Sequence, residues 1–155
     1  VGLRDVNGAA KQAWSMWALA NRVDLNPKMV DCGFEELPYT RLVRSYNAAR
    51  GHWASSRLPP PGFTAENSWR LLRHAEANTT LLFECGVGQH TLLSPDPGCE
   101  GQFARGPVGY AHATQVPGSV PLHRCRIGAG EDHFVSTDPG CEGQTTEQML
   151  GWVLP

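Results

Sequence analysis

Across residues 40–155 the apolar residues come in short runs cut by glycine and proline, the pattern of β-strands joined by turns. Leu42-Val43-Arg44-Ser45, Leu82-Phe83-Glu84-Cys85 and Leu122-His123-Arg124-Cys125 align at a constant offset of about 40 residues, a spacing that signals repeated units. A glycine-containing turn follows each opening, then a histidine pair: His52-Trp53, His90-Thr91 and His133-Phe134. Next come a Ser/Thr-bearing strand (Ser55-Ser56, Ser94, Ser136-Thr137) and a Pro-Gly turn at Pro61, Pro97 and Pro139. An aromatic strand ends each unit, around Trp69, Tyr110 and Trp152. Every unit thus reads as strand, turn, strand, Pro/Gly link, strand, with room for one more short pairing segment.

This pattern predicts a mainly β chain with a pseudo-threefold repeat, β-trefoil-like, in which barrel closure removes open sheet edges. The expected organisation is an N-terminal segment over 1–39 and a β domain over 40–155, with units near 40–79, 80–119 and 120–155. Asn7 as N-cap, with Ala10, Ala13, Trp14 and Trp17 on one face, predicts a helix in the first segment. Yet VNGAAKQAWS (6–15) also resembles YNAARGHWAS (46–55), so a fourth degenerate unit and a small propeller-like assembly stand as the alternative.

Composition narrows the function. A hydrophobic share of 41% supports a core, while Gly 17 and Pro 12 fit a turn-rich chain. A net charge of −2 removes the basic face that nucleic acid requires. No apolar run approaches the roughly 18 residues of a membrane-spanning helix. Val1 reads as a processed end or a boundary, which suits an exported protein.

Four of the five cysteines, Cys85, Cys99, Cys125 and Cys141, take matched places in the second and third units. The first unit carries Ser45 in place of the first cysteine and has no GCEGQ. Joint loss of both partners is what a structural disulfide produces. Four cysteines allow three connectivities, of which pairing within each unit is the expected one. Each bridge would close a loop of about 15 residues, worth about 3 kcal/mol, and implies an oxidising compartment. Cys32 is left over, as a buried thiol or a link to an attached domain.

The units resemble a tandem-repeat family of secreted bacterial and fungal proteins. Its pattern runs Leu-Tyr-Arg, a glycine turn, Asp-His-Phe, a Ser/Thr pair, an acidic segment and Gly-Tyr-Val. The nearest copy is PLHRCRIGAGEDHFVSTDPGCEGQTTEQMLGWVLP, residues 121–155. The family has no assigned function and is often appended to secreted hydrolases. The resemblance therefore implies a secreted accessory or binding module and supplies no catalytic residues or cofactor.

Three groups of residues are candidates for chemistry. His52, His90 and His133 occupy one repeat position and would suit zinc or copper if they converged around the pseudo-threefold axis. A repeated strand-opening residue with a structural bond is the plainer reading, and no metal is expected. Glu100, Gln102, Glu142 and Gln144 of the duplicated GCEGQ, near Tyr110 and Trp152, have the polar and flat aromatic surfaces that bind sugars. Together with His90 and His133 they are the expected ligand residues, unless Glu and Gln simply hold their turns in shape.

A glycosidase pair needs carboxyls about 5–9 Å apart in unlike environments, which repeat-related glutamates do not supply. G-x-S-x-G is missing, and the Gly-Val-Gly and Gly-Ala-Gly turns lack a following helix and lysine, so serine-hydrolase and phosphate-loop chemistry are disfavoured. The expectation is a secreted, non-catalytic module binding carbohydrate or another cell-surface ligand. Two alternatives are a docking domain of a secreted hydrolase and a histidine-cluster metal domain.

Overall fold

The structure is a computed structural model that describes residues 38–155. The expected N-terminal helix or fourth unit, and Cys32, lie outside the described residues. In the described residues nine strands follow one another: β1 (Tyr39–Asn47), β2 (Gly51–Ser55), β3 (Thr64–Leu72), β4 (Thr79–Val87), β5 (His90–Ser94), β6 (Phe103–His112), β7 (Val120–Arg126), β8 (His133–Ser136) and β9 (Thr145–Val153). The described chain is mainly β, and all nine strands belong to one antiparallel sheet.

Pairing divides the strands into three groups. In each, the first strand is central: β1 pairs with β2 and β3, β4 with β5 and β6, and β7 with β8 and β9. The third strands connect the groups through Leu72↔Tyr110 and His112↔Trp152. A last bridge, Arg70↔Leu154, runs from the end of β9 back to β3.

Leu42, Leu82 and Leu122 are fully buried in one core with Ala54, Leu93 and Val135 from the second strands and Leu71, Ala111 and Val153 from the third. Burying each leucine contributes about 2 kcal/mol. Alternation along the strands delivers one such residue from each first and second strand and two from each third strand, where Trp69, Val108 and Leu150 join in, leaving the opposite faces to solvent or to smaller clusters around the cysteines.

Two equivalences expected from the sequence are shifted by one residue. His52 pairs with Tyr46 and His133 with Arg126, but their counterpart in the second group is Thr91, which pairs with Gly86; His90 pairs with Val87, one step further out. The β4–β5 connection is only Gly88-Gln89, shorter than its counterparts, and Gly88 supplies the positive φ (56°) it needs. A one-residue slip moves a side chain to the other face of its strand, so His90 does not occupy the position of His52 and His133.

Likewise Trp69, opposite Leu42, corresponds to Gly109 and Gly151, opposite Leu82 and Leu122; Tyr110 and Trp152 correspond to Arg70. Gly109 and Gly151 adopt φ of 145° and 137°. A Cβ on Gly109 would lie 2.8 Å from Leu71 Cβ, and one on Gly151 would lie 2.8 Å from the His112 carbonyl oxygen. Gly109 thus makes room for side chains of the first group, and Gly151 for the backbone of β6.

Candidate functional site

The duplicated word DPGCEGQ builds a disulfide-tied turn. Cys85 bonds Cys99 and Cys125 bonds Cys141, each within its group. Asp96 accepts the N–H groups of Gly98 (3.0 Å) and Glu100 (2.7 Å), and Asp138 accepts those of Gly140 (2.9 Å) and Glu142 (2.8 Å). These contacts hold Cys99 and Glu100 at φ of 53° and 55°, and Cys141 and Glu142 at 51° and 54°. Left-handed backbone costs a non-glycine residue about 1–2 kcal/mol, which the carboxylate bonds and the bridge offset. Asp138 is held below its usual carboxylate range by the backbone N–H of Gly140, then that of Glu142. Ser45 occupies the register position of Cys85 and Cys125 and is buried without a bridge.

Each turn projects its glutamate across a boundary between groups. Glu100 Oε1 lies 2.7 Å from Arg124 Nη1, and Glu142 Oε1 lies 2.7 Å from Arg44 Nη1. Ser94 and Ser136 donate hydroxyl bonds to the same two carboxylates. Arg124 also meets Glu147 (2.9 Å), and Arg44 Nε lies 2.9 Å from Glu66 without hydrogen-bond alignment. Glu66 and Glu147 occupy corresponding places on β3 and β9.

The third boundary repeats this joint with its charges exchanged. Glu84 stands where Arg44 and Arg124 stand in their strands, and a register shift follows each of the three. Ser55 donates to Glu84, Arg57 Nη1 approaches it at 2.8 Å, and Arg105 on β6 at 3.9 Å. Arg57 therefore replaces the turn glutamate and Arg105 replaces the third-strand glutamate. The Glu84 side chain is only 3% exposed, and a carboxylate that deep requires such partners. Sequence reasoning passed over Arg44, Glu84 and Arg124, although their common offset was visible.

The Arg124 hydrogen bond holds the Glu100 carboxyl below its usual range, against opposition from burial and with help from Ser94. Arg44 does the same for Glu142, with Ser136 assisting. Both carboxylates stay ionised in fixed ion pairs, an arrangement poorly suited to proton transfer.

A separate cleft of about 460 Å³ lies where the three hairpins meet, lined in part by Tyr46, Gly51, His52, Glu66, His90 and Asp132. The Asp132 carboxylate accepts the His52 backbone N–H at 2.8 Å, and its second oxygen lies 3.0 Å from His52 Nδ1. Burial opposes ionisation of Asp132, but these His52 contacts outweigh it and hold the carboxyl below its usual range. An ionised carboxylate can only accept, so the His52 proton sits on Nδ1. His90 Nδ1 lies 3.8 Å from the same carboxylate. Gly51 leaves the necessary room, since a Cβ there would meet the Asp132 carboxyl at 2.6 Å. Tyr46 is 40% exposed, and its ring centre lies 4.8 Å from that of His52.

The three histidines do not converge on one centre. His52 and His90 share Asp132, while His133 donates from Nδ1 to the Glu131 carbonyl (2.7 Å) and turns Nε2 toward Glu147 (3.3 Å). Among the described residues no group of three or more His, Cys, Asp or Glu is arranged to hold a metal ion.

Of the expected ligand residues only His90 lines this cleft. Gln102 and Gln144 are exposed where their turns exit, each with its N–H bonded to the cysteine carbonyl of its own turn. Tyr110 and Trp152 are half-buried on the strands that connect the groups. Comparison with protein-family models, with curated proteins and with solved structures returns no match.

Proposed function

We propose that this protein is an extracellular, non-catalytic binding module of β-trefoil-like, pseudo-threefold design that takes carbohydrate in the cleft beside Tyr46. The carrying observation is that cleft: a partly exposed aromatic ring beside His52, His90 and an ionised Asp132 whose position is set by backbone and ring contacts. An aromatic face receives the apolar side of a sugar ring, and fixed polar groups orient its hydroxyls. The matching three-strand pairings and the three third-strand links support the pseudo-threefold reading. Two disulfides support an oxidising compartment. Engagement of Glu100 and Glu142 by arginines favours binding over glycoside hydrolysis.

A glycan array and sedimentation with insoluble polysaccharides test this reading. Retention by a defined glycan, weakened at least tenfold by Tyr46→Ala, is the expected result. No retention by any glycan, or retention indifferent to Tyr46, would remove it.

A further inference from the structure

The boundary with exchanged charges also carries the two most exposed large apolar residues among the described residues, Leu58 and Phe103. A second cleft, of about 340 Å³, is bordered there by Trp53, Arg57, Leu58, Glu84, Phe103 and Arg105. Leu58 is 95% exposed and Phe103 71% exposed. The buried Glu84 neutralises one guanidinium through its close contact with Arg57, leaving Arg105 at 3.9 Å and over the Trp53 ring at 5.0 Å. Two cations against one carboxylate give this cleft a surplus positive charge, whereas Arg44 at the corresponding boundary faces two carboxylates.

From this we infer that the cleft is a second binding site, selective for an acidic polysaccharide bearing carboxylates on pyranose rings. The Phe103 face takes the apolar side of a ring, and Arg105 meets its carboxylate in a charge-assisted contact. Arg57 stays with Glu84 and the Pro107 carbonyl, and so fixes the cleft wall rather than reaching for ligand. Selection for charge arises because the cation is already placed, and a neutral ring gains nothing from it. This inference rests on the carbohydrate-binding reading but uses a different cleft.

Biolayer interferometry on the whole protein tests it, with polygalacturonate, its neutral methyl ester, a neutral mannan and poly-glutamate as probes. Polygalacturonate binding is expected to exceed ester binding at least tenfold and to weaken with added salt. Phe103→Ala, at an exposed position that leaves the fold intact, is expected to lower it at least tenfold, and Tyr46→Ala to leave it unchanged. Equal binding of acid and ester, an unaffected Phe103→Ala variant, or preference for poly-glutamate would overturn the site. Mannan binding that depends on Tyr46, without polygalacturonate binding, would overturn this inference and leave the first cleft standing. Failure of every glycan would overturn both.

Discussion

Arg124 Nη1 and Glu100 Oε1 stand 2.7 Å apart although they belong to different three-strand groups. Arg124 is almost enclosed, with its side chain 8% exposed, and Glu147 holds its other edge. Removing the guanidinium takes the partner from Glu147, 19% exposed, and leaves Glu100, 41% exposed, to water. Arg124→Met is therefore expected to cost about 3 kcal/mol in urea unfolding, against less than about 0.5 kcal/mol for an exposed surface change. A loss below about 1 kcal/mol would show that the pair is only a surface contact.

The two disulfides act on the unfolded chain and should contribute similarly, since they close loops with sequence separations of 14 and 16. The paired change Cys85→Ala with Cys99→Ala is expected to cost about 3 kcal/mol. The corresponding change at Cys125 and Cys141 should match it within about 1 kcal/mol. The first group, built on Ser45, needs no bridge, so reducing agent should leave its two strand pairings the last to open. Hydrogen exchange of β1 amides after reduction checks that order.

The mainly β character and both bridges were legible in the sequence, because turn glycines, prolines and cysteines act locally. The sequence misled where a turn changed length. Gly88-Gln89 shortens one hairpin, so aligning His90 by its rank after the turn set it one residue out of phase with His52 and His133. The joints between groups were hidden for another reason. Their partners lie far apart in the chain, and the exchange of Arg for Glu at position 84 disguises a common role as an unlike residue. The role of Asp132 came from a neighbouring hairpin, which no local spacing announces.

Close backbone approach should make Gly151 far less tolerant of a side chain than the turn glycine Gly118. Its φ of 137° and the His112 oxygen 2.8 Å from a built Cβ combine strain with collision. Gly151→Ala is expected to cost about 2–3 kcal/mol. Gly118, at φ 77° with nothing within 4 Å, should cost only about 1 kcal/mol as alanine. Thermal unfolding of the two variants should rank them in that order.

Acid should loosen the joints. Glu100, Glu142, Asp132 and Asp138 are all held below their usual values in the folded protein. The unfolded chain then binds protons first as pH falls, so the stabilisation is complete above about pH 5 and is lost as the folded carboxylates protonate. Unfolding free energy should decline steadily below about pH 4.5. Glu142→Gln should show a shallower decline, since one of the linked carboxylates is gone. An identical pH profile for that variant would argue that its ion pair carries no linkage.

The exchanged-charge joint allows one direct test that the three boundaries share a single design. Glu84→Arg alone places a third guanidinium against Arg57 and Arg105 and should cost about 3–5 kcal/mol. Adding Arg57→Glu and Arg105→Glu rebuilds the polarity found around Arg44 and Arg124. Urea unfolding of the triple variant is predicted to recover more than half of the stability lost by the single one. A triple variant no more stable than Glu84→Arg would contradict a shared joint and leave the three ion-pair clusters as unrelated contacts.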